Sequence, residues 1–177
     1  MIKEYSMDIF LNPGSPCPRG FSHYYSHGRP TSVVTYEASC YKFSTDQRTW
    51  IDSRRQCKAL GGDLVSIETT GEQHHLETII RISPALQRPA LTKFNHWGYW
   101  TSGTDAPREG TWTWAATGRP IAYRNWTPGE PNNSFPGGLP ENCLQLHQAR
   151  GWKWNDIICH TDMISYICET KADPIGK

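Results

Sequence analysis

No apolar stretch in this chain approaches the ~20 residues needed to cross a bilayer. There is no basic run or stripe, and the net charge of +1 gives no electrostatic case for nucleic acid or for a membrane surface. No CxxC pair occurs, which removes the usual basis of a thiolate zinc site. No heptad pattern is present, so oligomerisation through a coiled coil has no support and the oligomeric state stays open. Internal repeats and low-complexity tracts are absent as well, which excludes solenoid and fibrous architectures. Met1 to Leu11 lack the apolar core of a secretory signal.

What is present points to one compact, aromatic-rich domain. The chain has 177 residues, with eight Trp and eight Tyr, far too many for a disordered segment. Six cysteines stand at 17, 40, 57, 143, 159 and 168. An even count in a small loop-rich chain indicates disulfides and an oxidising compartment. Six cysteines allow 15 pairings, and spacing chooses none of them.

Along the chain, residues 1–35 read as an irregular arm rich in Pro, Gly, Ser and His. Within it "HYYSH", His23 to His27, places two imidazoles four apart, but with no helical pattern to turn them into a zinc site. Ser39–Ser44 alternates as a strand. A helix follows, with Thr45 or Asp46 as its cap, Trp50, Arg54, Cys57 and Leu60 at helical spacing, and Gly61-Gly62 as its stop. "DLVSI" (63–67) is a short strand. "ETTGEQHHLETIIRI" (68–82) is a second amphipathic helix with Leu76, Ile79 and Ile80 on one face, and at most one of His74 and His75 turned inward. Residues 83–96 read as loop. Short strand candidates follow in "HWGYWTSG", "TWTWAA", "CLQLH", "GWKWND" and "SYICE", in which Trp112, Trp114, Trp152 and Trp154 are expected to fill the core with satisfied N–H groups. Two helices followed by many short strands make an α+β domain.

One stretch resists both periodicities: "GEPNNSFPGGLPENC", residues 129–143. Its Pro and Gly make it a loop. Its acids and amides join those of "WND" to give Glu130, Asn132, Glu141, Asn155 and Asp156, a set of oxygen donors. Calcium takes about six to eight oxygens in irregular geometry, whereas zinc prefers imidazole and thiolate. A Cys143–Cys159 bridge would draw the two clusters together, and closing so short a loop is worth roughly 3 kcal/mol. The plainer reading is that "EPNN" and "WND" are ordinary turns.

At these residues the chain resembles the C-type lectin-like family. The resemblance rests on "CY" (40–41), "CKALGGDLVSI" (57–67), "GTDAPREGTWTW" (103–114), "YRNWTPGEPNN" (123–133), "ENCLQL" (141–146), "WNDIIC" (154–159) and "YICE" (166–169), in that order. It implies the C-type lectin-like α+β fold: two helices, small antiparallel sheets and a long calcium-binding loop region. Residues 36–170 would form the carbohydrate-recognition domain, between the arm and a tail at 171–177. It implies three disulfides, Cys57–Cys168, Cys143–Cys159 and, in the long form, Cys17–Cys40. The last pair is more widely spaced here than is usual, as though 22–35 were an insertion, so an intermolecular Cys17 stays open.

The resemblance also implies the site. Glu130, Asn132, Glu141, Asn155 and Asp156 would hold one Ca2+, Asp156 adding its backbone carbonyl, and would bond the vicinal hydroxyls of a sugar. Carboxylates accept those bonds and amides donate them. Glu130-Pro131-Asn132, with Pro131 cis, is similar to the form associated with mannose, fucose, N-acetylglucosamine and glucose. The longer "NSFPGGLP" loop departs from compact mannose-type members and is similar to galactose-type ones, with Phe135 placed to stack on a sugar or to pack the loop down. Lys153 would face solvent and touch a longer glycan. Asp105, Glu109 and Asn133 match an auxiliary calcium site, although Asn133 and Asn142 stand where acids are common; otherwise Asp105 and Glu109 are solvated loop acids. The sequons at Asn125 and Asn132 are expected to be unused. The implied protein is a secreted, non-catalytic lectin of the kind found in invertebrates, recognising mannose-type glycans on microbes or glycoproteins in innate immunity. The alternative is a lectin-like domain that binds a protein, or a galactose-type ligand, through the extended loop. A hydrolase using Glu130 and Glu141 ranks last.

Overall fold

The computed structural model describes residues 17–18, 21–24, 39–87, 97–161 and 164–172. Most of the expected arm, the His23/His27 pairing and residues 173–177 of the expected tail lie outside these.

The strands run in the order β1-β2-β8-β4-β6-β7. Here β1 is Ser22–Tyr24, β2 Ser39–Phe43, β4 Gly98–Thr104, β6 Cys143–His147, β7 Lys153–Ile157 and β8 Ser165–Lys171. All neighbours are antiparallel except β4 and β8, which are parallel. Two short strands attach at the sides, β3 (Asp63–Leu64) to β8 and β5 (Thr113–Trp114) to β4. Helices α1 (Trp50–Ala59) and α2 (Thr70–Ile82) complete the α+β domain.

All six cysteines pair within the chain as the resemblance implies: Cys17–Cys40, Cys57–Cys168 and Cys143–Cys159. Cys57–Cys168 fastens α1 to β8, and Cys17 is therefore not held in reserve for another chain.

Helix α1 starts later than its sequence indicates. Asp46 is bonded by Ser44 and by Arg48, and the Arg48 N–H donates to the Ile164 carbonyl, which keeps 44–48 out of the helix. The cap falls to Thr49, whose hydroxyl accepts from the Asp52 N–H at 3.3 Å. Trp50, Ser53 and Cys57 form the buried face, while Leu60 is 41% exposed. Gly61 turns the chain at φ +83, and a side chain on Gly62 would meet the Glu169 carbonyl oxygen at 2.2 Å. Only Asp63–Leu64 of "DLVSI" pairs as a strand; Val65 and Ile67 continue into the core.

Helix α2 buries Leu76 and Ile80 with Ile79 partly covered; His74 is exposed and His75 half-buried, 6.0 Å from the Tyr41 ring. The helix also carries polar anchors into the interior. Gln73 donates to the Trp152 carbonyl and accepts from the Trp154 indole N–H at 2.8 Å. Trp154 meets Trp114, Tyr123 and Trp126 edge-on at 5.5–5.7 Å. Trp112 departs from expectation: it is only partly buried, packs on Trp126, and its indole N–H has no partner.

Glu72 is buried at 7% exposure. One oxygen accepts from the Tyr41 hydroxyl and the other from the Glu68 N–H. Burial, then the charge of Glu169, pushes its carboxyl up to about 7, against the bonds from Tyr41 and Glu68. Glu169 is pushed the same way by burial, with Lys171 opposing, and burial lowers His75. A raised carboxyl binds its proton more tightly in the fold than in the unfolded chain, so stability is highest where both forms are protonated and falls as pH rises through the folded value. Unfolding of the wild type should lose on the order of 2–3 kcal/mol more between pH 4.5 and pH 7.5 than unfolding of Glu72→Gln. Parallel slopes in denaturant titrations of the two proteins would refute this.

Candidate functional site

The 128–141 loop is anchored at both ends to the β6–β7 hairpin. On entry, Asn125–Thr127 runs beside β7: the Trp154 N–H donates to the Asn125 carbonyl at 2.9 Å and the Thr127 N–H to the Trp154 carbonyl at 2.8 Å. A turn closed by the Glu130 N–H on the Thr127 carbonyl, with Gly129 at φ +94, delivers Glu130 to this edge. The Glu130–Pro131 bond is cis, as the tripeptide implies. On the far side β6 begins at Cys143, opposite Ile157, with Leu144 opposite Asp156 and Gln145 opposite Asn155. The Cys143–Cys159 bridge closes that end. Asn155 and Asp156 thus sit on rigid strand, while Glu130, Asn132 and Glu141 arrive on loop.

The loop amides converge on the acids. Asn132 and Asn133 donate their backbone N–H groups to the Asp156 carboxylate at 3.0 and 2.8 Å. Ser134 N–H donates to Glu141 at 2.8 Å, and Glu141 N–H donates to the Asn133 side-chain oxygen at 2.7 Å. The Asn155 amide donates to the Asp156 carbonyl. Asp156 and Glu141 are buried, Glu130 and Asn155 half-buried, and Asn132 exposed.

Burial raises the Glu130 carboxyl to about 7, followed by its hydrogen bond to Asp156 and the charges of Asp156 and Glu141, with Arg150 opposing. Burial also raises Glu141. One Glu130 oxygen, Oε2, is buried with no hydrogen-bond partner. Crowded acids with an orphaned carboxylate oxygen and an all-oxygen donor set fit a hard divalent cation. Among the described residues, no group of three or more His, Cys, Asp or Glu side chains is arranged to hold a metal ion as it stands. The reason is visible: Asp156 and Glu141 direct oxygens to the loop N–H groups, and two of the five donors are amides.

The residues of the expected auxiliary site part company. Asp105 is not a solvated acid: it is 1% exposed, with Oδ2 accepting from the Gly110 N–H and Oδ1 unpartnered. Asn142 joins it, its carbonyl accepting from the Asp105 N–H and its own Oδ1 unpartnered. Glu109 is exposed, and Asn133 is engaged by Glu141. Phe135 is half-buried and Lys153 exposed. Two residues escaped the sequence reading. Leu139, 54% exposed on the loop, is one. Arg150, at the end of the short turn Gln148–Arg150 between β6 and β7, is the other: its charge opposes the rise of the Glu130 carboxyl, and no motif marks it.

The lectin C-type domain family model matches residues 46–170. A perlucin-like protein of Mytilus galloprovincialis is 34% identical over 78% of this chain and 81% of its own length. Among solved structures, the cow C-type carbohydrate-recognition domain of CD23, in the presence of a GlcNAc2Man3 oligosaccharide, superposes with TM-score 0.66 at 28% identity, covering 90% of this chain and 99% of that one. A calcium-independent type II antifreeze protein superposes with TM-score 0.62 at 25% identity, covering 88% and 95%.

Proposed function

Since the chain belongs to the lectin C-type domain family, a family of carbohydrate-binding domains and receptors rather than enzymes, we propose that it binds mannose-type sugars in a calcium-dependent way through Glu130, Asn132, Glu141, Asn155 and Asp156. The observation that carries this reading is the buried, unpartnered Oε2 of Glu130 beside Asp156, in a site with only oxygen donors. A bound calcium would supply the positive charge that lets these carboxylates stay ionised together and would hold a pair of sugar hydroxyls. The protein's own groups set which sugar fits. Glu130 and Glu141 accept from hydroxyls, Asn132 and Asn155 donate to them, and Asp156 holds the loop amides that position Asn132. The order Glu-Pro-Asn favours a pair of equatorial vicinal hydroxyls: the 3- and 4-hydroxyls of mannose, glucose and N-acetylglucosamine, or the 2- and 3-hydroxyls of fucose. The domain is taken as residues 36–170. Three disulfides favour an extracellular, secreted setting, and among the described residues no helix is long and apolar enough to cross a membrane. Glycans on microbial surfaces or glycoproteins are the partners this implies, in innate recognition. Asp105 and Asn142, each with an unpartnered oxygen, are the better candidates for an auxiliary cation, with Glu109 at its rim.

The test is retention on immobilised mannose and galactose, with calcium and then with EDTA. Retention on mannose that EDTA releases is the expected result. A second reading rests on the exposed loop around Leu139: a galactose-type or protein ligand held by the loop. Retention on galactose alone, or on neither sugar despite calcium binding by calorimetry, would replace the first reading with it.

A further inference from the structure

We propose that Asn132 is an N-glycan acceptor as well as a site residue, so that one polypeptide exists in two forms: a sugar-binding form with an unmodified Asn132 amide, and a glycosylated form whose site is closed. This rests on the calcium-dependent sugar reading and the extracellular setting above, and adds a covalent regulation of the same site.

The chain carries two acceptor patterns, Asn125-Trp126-Thr127 and Asn132-Asn133-Ser134, and the fold separates them. Asn125 is half-buried, and its carbonyl accepts from the Trp154 N–H beside β7. Thr127 is buried with an enclosed hydroxyl, and Pro128 follows at once. That acceptor stands in packed structure. Asn132, Asn133 and Ser134 are all exposed. Among the described residues, the side chains of Asn132 and Ser134 make no hydrogen bond. The segment is held through its three backbone N–H groups and the Asn133 side-chain oxygen. A glycan on the Asn132 amide nitrogen therefore breaks no bond of the folded protein and has solvent to extend into. The tethers run to Glu141 and Asp156, which follow in the chain, so the pattern is complete before the residues that lock it are made.

In the transfer, the Asn132 Nδ2 attacks C1 of an oligosaccharide joined to a lipid pyrophosphate, the donor that a secretory compartment supplies. The bond formed is Nδ2–C1, the bond broken is that from C1 to the phosphate oxygen, the amide gives up one proton, and the lipid pyrophosphate leaves. Nothing is oxidised or reduced. The effect on the site follows from the atom modified. An unmodified Asn132 has a side-chain oxygen for an ion and two N–H bonds, one of them for a sugar hydroxyl. The modified amide keeps a single N–H and carries a pyranose ring on the nitrogen that would bond the ligand. The bulk of the glycan then stands where a second sugar would have to sit.

The experiment leads the full chain through the secretory pathway of cultured insect cells and separates the product on immobilised mannose in calcium. Flow-through and EDTA eluate are digested and read by mass spectrometry. The peptide holding Asn132 should carry a glycan in the flow-through and none in the eluate, the glycosylated form binding at least about tenfold more weakly. Both fractions should unfold at the same temperature without calcium, which separates a closed site from a misfolded one. Ser134→Thr, which keeps the hydroxyl and makes the pattern a more efficient acceptor, should enlarge the flow-through share. An Asn132 peptide without glycan in every fraction, Ser134→Thr included, overturns the proposal, and EDTA-released retention then leaves the site reading standing. Glycosylated protein retained as well as the unmodified form also overturns it, and removes Asn132 from the site. Unmodified protein that EDTA never releases from mannose, or that never binds it, sinks the sugar reading and this proposal together.

Discussion

Asp156→Asn should abolish calcium-dependent sugar retention while leaving a folded protein. Asp156 receives the backbone N–H groups of both Asn132 and Asn133, and it lies opposite Leu144 in the β6–β7 ladder. The asparagine keeps one oxygen for those amides, so the loop retains part of its anchorage. It loses a full charge from the centre of the acid cluster. Calcium affinity tracks the number of ligand charges, and even supporting residues around metals change affinity by 10–100-fold, so the loss here should exceed about 100-fold. A ligand present at 100 times its dissociation constant stabilises a fold by about 2.7 kcal/mol. The thermal shift that calcium confers on the wild type should therefore vanish in the variant, while the metal-free midpoints stay within a few degrees. Calorimetry that found equal calcium affinity in the two proteins would remove Asp156 from the ligand set.

The second large effect is structural. Trp154→Ala should destabilise the domain by about 3–5 kcal/mol, lowering the midpoint by roughly 10 °C at the usual sensitivity of a domain this size. The ring is fully buried, touches three aromatic rings edge-on and donates to Gln73. Its removal opens a cavity and strands the Gln73 oxygen. Trp154→Phe separates the two costs, since it keeps much of the packing and leaves only the lost hydrogen bond, about 1–2 kcal/mol. Because Trp154 immediately precedes Asn155, its backbone also bonds Asn125 and Thr127, and calcium affinity should fall in parallel with stability. A loss below 1 kcal/mol on Trp154→Ala would mean that the interior collapses around the missing ring.

Much of this architecture is legible before any coordinates. The strand at Ser39–Phe43, helix α2, the "CLQLH" strand and the three disulfides all stand where pattern and family resemblance place them. The proposed oxygen donors stand out in the sequence because calcium chemistry would restrict residue types and the loop's Pro and Gly restrict its conformation. What the residues could not show were outcomes of competition between distant groups. Asp46 looks like a cap until Arg48 and Ser44 bind it, which leaves the cap to Thr49 and the helix start to Trp50. Asp105 looks like a surface acid until Asn142 and Gly110 close over it.

The way the loop is tethered has an evolutionary consequence. Its ends are fixed by Asp156, Glu141, the ladder and the Cys143–Cys159 bridge, whereas Pro136 to Pro140 are exposed and none of those tethers involves them. Insertions, deletions and exchanges in that span change what a ligand meets without moving the residues that gather the oxygens. Selection can therefore act on recognition and on the proposed metal site almost independently, and one scaffold can diversify its targets by rewriting five adjacent codons.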